Sequence, residues 1–325
     1  MTMDATAKRA RPSFVNRLSF RIESLGVLLL LAIIMAVLSP YFLSVSNFLN
    51  ILLATATIGV LAIGATFVIS SAGLDLSLGS VLGLSGVVGA WLVDRVEMPW
   101  IFGIVGCLLA GAACGFINGL LVTRGRIPAF IVTLGMLGIA RGLALIIAKG
   151  QAIYGLAPEL VFLGQGRPFG VPMPVFIFLG VALIMHFVLA YTRFGRYTLV
   201  IGDNETAARA MGIKVERHKL SLYVISGLMG GIAGLLFMTR VNAGDPTAGL
   251  GYELTAITAA IIGGTNLFGG RGSILGTFIG ALIMGVLQNG LNLLAVQSYY
   301  QQMAIGAVLI FAVWLDQSTR RRREQ

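Results

Sequence analysis

The sequence predicts an all-α, polytopic integral membrane protein: a bundle of about ten membrane-spanning helices in two weakly related halves. Three observations predict this class. Of the 325 residues 57% are apolar, only 11% are charged, and the mean hydropathy is +0.91. Soluble domains carry about a quarter charged residues, so this chain could not cover its surface in water. The excess apolar surface is therefore expected to face lipid, where the 43 glycines allow close helix packing.

Ten apolar stretches are candidates for spanning helices, because one crossing needs about 20 apolar residues. They cover residues 25–43, 50–70, 77–93, 101–122, 128–148, 174–191, 220–239, 253–264, 273–293 and 301–315. The eighth is short and runs into the glycine-rich stretch Gly263 to Gly272, so some of the ten are expected to be broken or re-entrant. Gly73 to Ser80 and Gly270 to Thr277 carry glycines at matching offsets, a weak sign of two related halves.

The positive charges predict the orientation, because cytoplasmic connections carry the excess of Lys and Arg. With the N-terminus in the cytoplasm, eighteen of the 23 Lys and Arg residues fall on that side, four on the other and Arg141 within a span. This distribution also argues against nucleic acid as the partner of a chain with net charge +10. The sequence thus predicts a cytoplasmic basic segment 1–24, a membrane domain 25–316 and a cytoplasmic basic tail 317–325.

The longest basic connection, residues 192–219, contains a short helix signal over residues 203–213. Asp203 or Asn204 can cap its start, and Gly212 suits a left-handed position after its end. A helix of about two turns is too short to be stable alone, so it must dock on something. It either lies on the chain's own surface or fits into a separate cytoplasmic partner. The candidates for that contact are Asp203, Asn204, Glu205, Ala208, Arg209, Gly212 and Ile213.

Polar groups within the spans are candidates for a translocation path, because lipid cannot satisfy their hydrogen bonds and a neutral, hydroxyl-rich solute would need them. For any single residue, an ordinary interhelical hydrogen bond is the simpler explanation. Asp75 lies between two apolar stretches, where it or Ser77 can cap the following helix without being excluded from such a path. The candidates are Asp75, Ser77, Asn118, Thr133, Arg141, Gln288, Asn289 and Asn292.

Several classes of function are disfavoured by what the sequence lacks. No G-x-x-x-x-G-K-[ST] motif is present, so ATP is not expected to bind through a Walker A loop. No catalytic triad or pair of carboxylates stands out, so an enzyme is not predicted. Cys107 and Cys114 fit two small buried thiols better than a disulfide or a metal pair, and His186 and His218 are too few for a metal site.

Six motifs occur in order along nearly the whole membrane domain. They are GLDLSLGS at 73–80; PAFIVTLG at 128–135 with Arg141-Gly142; FGRY at 194–197 leading to GDNETAAR at 202–209; PTAGLGYEL at 246–254; IGGTNLFGGRG at 262–272; and QNGLN at 288–292 followed by SYYQ at 298–301. Together they resemble the permease subunits of bacterial ABC importers for monosaccharides, the ribose, allose, xylose and galactose group. The ribose member is the most similar, notably at residues 166–170 and 246–254. The resemblance does not predict the sugar, because sugar choice in these systems resides largely in the binding protein.

The resemblance implies a machine of three parts in the bacterial inner membrane. Two permeases, identical or related, form the pore; cytoplasmic ATPase subunits bind ATP and Mg, so this chain holds no cofactor; and a periplasmic binding protein delivers the sugar. Helix 203–213 would then dock on the ATPase. Loops near 94–98, 149–173 and 240–252 would form the periplasmic mouth. Candidates for contact with the binding protein are Arg95, Arg167 and Arg240.

Two other classes remain open as alternatives. A secondary transporter driven by an ion gradient would also be polytopic and rich in glycine, but the chain of intramembrane acids expected of many proton-driven carriers is missing. A receptor or anchor without transport is less favoured, because few anchors need ten spans or intramembrane amides.

Overall fold

A computed structural model describes the backbone of residues 14–324 and the side chains of residues 24–314 and Gln317. Residues 1–13 of the predicted N-terminal segment and the side chains of Arg320 to Arg323 in the predicted tail therefore lie outside the described residues. The helices are α1 Phe14–Leu38, α2 Val45–Ser70, α3 Leu78–Asp94, α4 Trp100–Thr123, α5 Ala129–Ala148, α6 Pro158–Gln165, α7 Met173–Tyr191, α8 Arg193–Asp203, α9 Glu205–Ala210, α10 Val215–Val241, α11 Tyr252–Ile262, α12 Ile274–Leu293 and α13 Ser298–Glu324. A 3-10 helix covers Pro168–Gly170, and strands β1 Ile153–Tyr154 and β2 Ala243–Gly244 pair antiparallel.

Each of the ten predicted spans falls on a helix, and the all-α membrane bundle is confirmed. Over the residues that the structure describes in full, the number of long spans is not ten. In the described part of the chain, six helices are long and apolar enough to cross a membrane: α2, α4, α5, α7, α10 and α12. Three apolar helices are shorter: α3, α11 and the part of α1 that is described, Ser24–Leu38. Helix α11 has 11 residues, and at about 1.5 Å per residue it covers roughly half of a 30 Å hydrocarbon core.

The contacts between helices repeat in the two halves of the bundle. Helix α3 packs on α4 and α5, and α11 packs in the same way on α12 and α13. Helix α2 contacts α11 and α12, α10 contacts α3 and α4, and α2 and α10 contact each other. The series α2 to α5 is therefore equivalent to the series α10 to α13. In this equivalence the connection before α3 corresponds to the connection before α11. The matching glycines of Gly73 to Ser80 and Gly270 to Thr277 had instead paired the connection before α3 with the one before α12, and that pairing is corrected.

The connections lie on two sides of the bundle. We call the side that the sequence predicts to carry most Lys and Arg residues the basic side. It holds Arg126 between α4 and α5, and Ser71 at the end of α2 lines the same cavity as Arg126. The opposite side holds Arg167 after α6, and Arg240 at the end of α10 lines the same cavity as Arg167. Because α2 ends on the basic side and α10 on the opposite side, the two equivalent series run in opposite directions.

Helix α2 forms the centre of the bundle, since every residue from Thr55 to Ser70 is buried. Helix α10 packs against α4 through glycines: Gly227 faces Gly111 and Gly115 so closely that a Cβ at any of them would overlap backbone. Such close approach is typical of helices in lipid, where dispersion contacts and small residues replace the hydrophobic drive. The packing brings α2, α4 and α10 together around the connection between α2 and α3.

Candidate functional site

Two non-helical segments interrupt the bundle at equivalent positions. The first break, residues 71–77, connects α2 to α3, and the second break, residues 242–251, connects α10 to α11. Both contain buried residues, and both precede a short helix. Non-helical backbone at membrane depth is tolerated only where protein or a water-filled cavity satisfies its polar groups. The partners of these two segments are therefore the first places to look for a functional site.

Asp75 organises the first break. Its side chain is only 3% exposed, and its Oδ1 accepts hydrogen bonds from the Ser77 backbone N–H at 3.0 Å and the Ser77 hydroxyl at 2.6 Å. Its Oδ2 accepts from the Ser226 hydroxyl of α10 at 2.7 Å. Ser77 stands at the N-cap position of α3 but makes no capping hydrogen bond. Of the two predicted caps, Asp75 is the one whose carboxylate accepts a backbone N–H at the start of α3, that of Ser77. The carboxylate instead ties the turn before α3 to α10.

Further polar groups surround the first break. The Asn118 side chain of α4, fully buried, donates to the Ser77 hydroxyl at 3.0 Å, while its Oδ1 has no hydrogen-bond partner. The carbonyl of Leu74 accepts from Thr133 of α5 at 3.5 Å and from the Tyr223 hydroxyl of α10 at 3.4 Å. The structure thus brings four predicted residues together and adds Ser226 and Tyr223, which nothing in the sequence singled out.

The second break packs against the glycines of α3, and a side chain of α5 forms hydrogen bonds with it. Gly249 packs on Gly79 and Ala248 on Gly83, because these positions of α3 carry no side chain. The Arg141 guanidinium of α5 donates through Nη1 to the carbonyl of Pro246 and, at 2.8 Å, to the carbonyl of Ala248. Arg141 therefore satisfies backbone carbonyls of the second break.

The first turns of α3 and α11 meet where the two breaks end. A Cβ at Gly79, in the first turn of α3, would overlap both the carbonyl of Gly249 and the carboxylate of Glu253, in the first turn of α11. Helix N-termini carry free N–H groups and partial positive charge, which favour a carboxylate or an oxygen-rich ligand between them. The meeting of two helix N-termini, each preceded by a break in the helical backbone, is the kind of arrangement that transporters use for solute sites.

The remaining predicted path residues lie elsewhere, near the end of α12. Asn289 donates to the Asn47 side chain at the start of α2 at 2.8 Å. Asn292, which is exposed, accepts from Gln301 of α13 at 2.8 Å, and Gln288 is half-buried beside them. These contacts tie helix ends to one another and involve neither break. The predicted path residues are thus divided among three places.

The predicted coupling segment forms two helices instead of one. Asn204 caps α9 by accepting the Ala207 N–H at 2.9 Å, and Gly212 is left-handed with φ of 81°, as local chemistry predicted. Helix α8, which precedes it, was not predicted. Ala208 is fully buried in a cluster with Ile201 and Val215, and so packs inside the chain. Asp203 and Arg209 are exposed, and Ile213 is half-buried.

An ion-pair network joins α9 to the start of α10. The Glu205 carboxylate contacts Arg209 Nη2 at 2.7 Å and Lys219 Nζ at 2.5 Å, and Arg209 also pairs with Glu216. The hydrogen bond from Lys219 is the main cause that lowers the pKa of Glu205. The hydrogen bond to Glu205 is the main cause that raises the pKa of Arg209.

The same network lines a cavity on the basic side. The cavity has a volume of about 460 Å³, and its wall includes Arg126, Glu205, Arg209, Gly73 and Tyr223. It therefore extends from the coupling segment to the first break.

Two of the three arginines predicted on the opposite side share a cavity. Arg167 and Arg240 line a cavity of about 360 Å³, and Gln165 donates to the Arg240 carbonyl at 3.1 Å. Arg95 is not among its lining residues and pairs with its neighbour Asp94 at 3.2 Å. Among the residues the structure describes, no group of three metal-ligating side chains occurs.

The chain is similar over most of its length to known membrane permeases. A family model described as "Branched-chain amino acid transport system / permease component" matches residues 47–313. The chain belongs to this permease family. It is 43% identical over 298 residues to the ribose import permease protein RbsC of Escherichia coli strain K12, covering 90% of this chain and 92% of that protein. It is 41% identical over 298 residues to the D-allose transport system permease protein AlsC of the same strain, covering 90% and 91%. It is 36% identical over 301 residues to the L-arabinose ABC transporter permease protein AraH of Azospirillum brasilense, covering 92% and 88%.

Membership in this family makes the chain a multi-pass permease component of a transport system. The family is one of transport permeases and not of enzymes. The receptor or anchor without transport is thereby set aside.

Proposed function

We propose that the chain is the membrane permease of a bacterial ABC importer for a monosaccharide. The observation that carries the proposal is identity of 36–43% along nearly the full length with permeases named for ribose, D-allose and L-arabinose. All three solutes are neutral and rich in hydroxyl groups, whereas the family description names branched-chain amino acids. One relative is named as an ABC transporter permease, which favours ATP over an ion gradient as the energy source.

The first turns of α3 and α11 are the proposed sugar path. Ser77, Asn118 and Ser226 offer hydroxyl and amide groups there, and the Asn118 Oδ1 atom is a buried acceptor without a partner. Sugar hydroxyls both donate and accept, so such a lining can replace their hydration without binding them tightly. Asn289 and Asn292, paired with Asn47 and Gln301, are assigned a structural role instead.

The basic side is proposed to face the cytoplasm, with both termini there and α9 docked on a separate ATPase that binds ATP and Mg. Ala208 anchors α9 to the chain's own core, so the docking surface is the outer face of α9 together with Met211, which follows the helix and is 64% exposed. The network of Glu205, Arg209 and Lys219 keeps α9 attached to α10 when the ATPase moves it.

The cavity of Arg167 and Arg240 is the proposed contact for a periplasmic binding protein. Two guanidinium groups beside one cavity favour a carboxylate from the partner, because Arg forms directed, charge-assisted hydrogen bonds with carboxylates. Arg95 is already paired with Asp94, so it is expected to contribute less.

A second permease copy is proposed to pack against α5. At Gly135, Gly138 and Gly142 the position that a Cβ would take has no atom within 4 Å, and the same holds for Gly306 on the equivalent helix α13. Glycine within a helix costs about 1 kcal/mol relative to alanine, so three open glycines on one helix, with a fourth on its equivalent, favour the close approach of another helix. A single open glycine carries no such indication. Whether the second copy is identical or a related permease is decided by the companion genes.

The proposal is tested by uptake into proteoliposomes that hold the chain and its companion ATPase, supplied with the companion binding protein. We expect ATP-dependent accumulation of one labelled monosaccharide among ribose, D-allose and L-arabinose, and none of labelled leucine. Vesicles without the ATPase but with a proton or sodium gradient serve as the control. Uphill uptake in that control would overturn the proposal, and uptake of leucine alone would replace its substrate class.

A further inference from the structure

Three backbone segments meet on the basic side with no side chain between them. They are the end of α8 at Gly202, the end of α2 at Ser70, and the connection after α11 at Gly269 and Gly270. The Gly270 N–H donates to the Ser70 carbonyl at 3.1 Å. A Cβ at Gly202 would overlap that carbonyl oxygen and lie 2.5 Å from the Gly270 nitrogen. We call this contact the Gly202 junction.

The junction is equally tight on its other face. A Cβ at Gly269 would lie 2.6 Å from the Gly202 carbonyl oxygen and 2.8 Å from both the nitrogen and the Cβ of Ala72. Gly269 and Gly270 are left-handed, with φ of 86° and 77°, and Ala72 is left-handed with φ of 59°. This conformation is ordinary for glycine but uncommon for alanine, so Ala72 is the unusual residue at this contact.

Each segment at the junction belongs to a different part of the machine. Gly202 lies in α8, two residues before Asn204, which caps α9. Ser70 and Ala72 lead into the first break. Gly269 and Gly270 follow α11, the helix that the second break precedes. One contact thus connects the segment that leads to α9 with α2, which precedes the first break, and with the connection after α11, the helix that follows the second break.

Backbone-to-backbone contact transmits displacement more directly than side-chain contact, because it has no rotamers that could absorb the movement. The ion pairs of Glu205 lie within α9 or join α9 to α10, so they provide no comparable link to α2 or α11. Buried Ala208 makes α8, α9 and the start of α10 one packed unit. A push on α9 therefore reaches Gly202 without an intervening flexible segment.

We propose that the Gly202 junction transmits the movement of α9 to both breaks, and that Gly202 and Gly269 are positioning residues for the coupling of ATP hydrolysis to sugar movement. The proposal rests on the proposed function, since it requires α9 to dock on an ATPase. A purely structural role for these glycines predicts changes in yield and stability but no change in the amount of sugar moved per ATP.

The test measures sugar transported per ATP hydrolysed in proteoliposomes for Gly202→Ala and for a matched control, Gly180→Ala. Gly180 lies in α7, just before α8, and its Cβ position has no neighbour within 4 Å. We expect Gly202→Ala to retain the ATPase on co-purification and to hydrolyse ATP, while its transport per ATP falls roughly tenfold. Gly180→Ala is expected to match the wild type.

The outcomes separate this inference from the proposed function. If the wild type neither binds the ATPase nor transports sugar, the proposed function fails. If the wild type does both and Gly202→Ala transports as much sugar per ATP, the junction proposal fails alone. Should Gly202→Ala not assemble, Ala72→Gly is measured instead, because it removes only the methyl group that touches Gly269 and relaxes a left-handed residue. An unchanged ratio in Ala72→Gly would then overturn the proposal.

Discussion

At the first break the Asp75 carboxylate accepts three hydrogen bonds, whereas at the second break the Arg141 guanidinium donates to the carbonyls of Pro246 and Ala248. The charges differ because the backbone groups differ. The first break leads directly into the N-terminus of α3, where N–H groups are unsatisfied, so an acceptor is needed. The second break runs along α3 in a series of turns, and the carbonyls of Pro246 and Ala248 need a donor from outside the segment.

The two breaks also differ in where their charged residue comes from. Asp75 lies within the break that it organises, and its donor Ser77 is two residues away. Arg141 lies on α5, more than a hundred residues from Pro246. The first break is therefore a local structure completed by α10, while the second depends on the packing of α5. Since α5 also carries the open glycines, we expect a shift of α5 at the proposed permease interface to displace the second break before the first.

The largest effect is expected from Arg141→Met, which keeps most of the side-chain length but removes every donor. It would leave the carbonyls of Pro246 and Ala248 unpaired, and each buried group without a partner costs about 1–3 kcal/mol. We expect a lower thermal unfolding temperature of the detergent-purified complex and loss of uptake. Arg141→Lys, which keeps the charge without the planar fork, should fall between Arg141→Met and the wild type. Wild-type stability in Arg141→Met would mean that the second break holds itself.

A matched pair of glycines separates backbone strain from crowding at the second break. Gly249 and Gly251 are both left-handed, with φ of 75° and 78°, but only Gly249 has neighbours at its Cβ position, where the Gly79 carbonyl lies. Gly251→Ala should cost about 1–2 kcal/mol from the left-handed conformation alone. Gly249→Ala should cost about 1–3 kcal/mol more, because the added methyl group overlaps packed backbone. Equal unfolding temperatures for the two variants would show that the second break is not packed against α3.

The sequence predicted the elements that depend on local chemistry or on the demands of lipid. All ten apolar stretches proved to be helices, because backbone N–H and C=O groups in the hydrocarbon core must be hydrogen-bonded within the protein. The Asn204 cap and the left-handed Gly212 followed from residue type at a helix end. The inward position of Ala208 could not be predicted, since a small residue suits packing on the chain itself and on a partner equally well.

The sequence did not reveal the second break, for a physical reason. Its residues read as an ordinary loop after α10, and the partners of Arg141 are backbone carbonyls, which every residue carries. Ser226 was missed in the same way, because one serine in an apolar helix gives no sign of a carboxylate on another segment. The charged residues within the membrane domain could be located from the sequence, but their hydrogen-bond partners could be identified only from the folded structure.

The smallest effect is expected from Asp75→Asn, which is compared with Asp75→Ala to test whether the first break needs a charge or only hydrogen-bonding groups. In Asp75→Asn the amide oxygen can still accept from Ser77, and the amide nitrogen can donate to the Ser226 hydroxyl. Asp75→Ala removes all three bonds and should cost about 1–3 kcal/mol for each donor that finds no other acceptor, measured by thermal unfolding, whereas Asp75→Asn should stay below about 1 kcal/mol. If both variants unfold alike, the ionised carboxylate itself holds the break. If Asp75→Asn folds normally yet transports no sugar, the charge serves translocation, and the first break differs from the second in function as well as in structure.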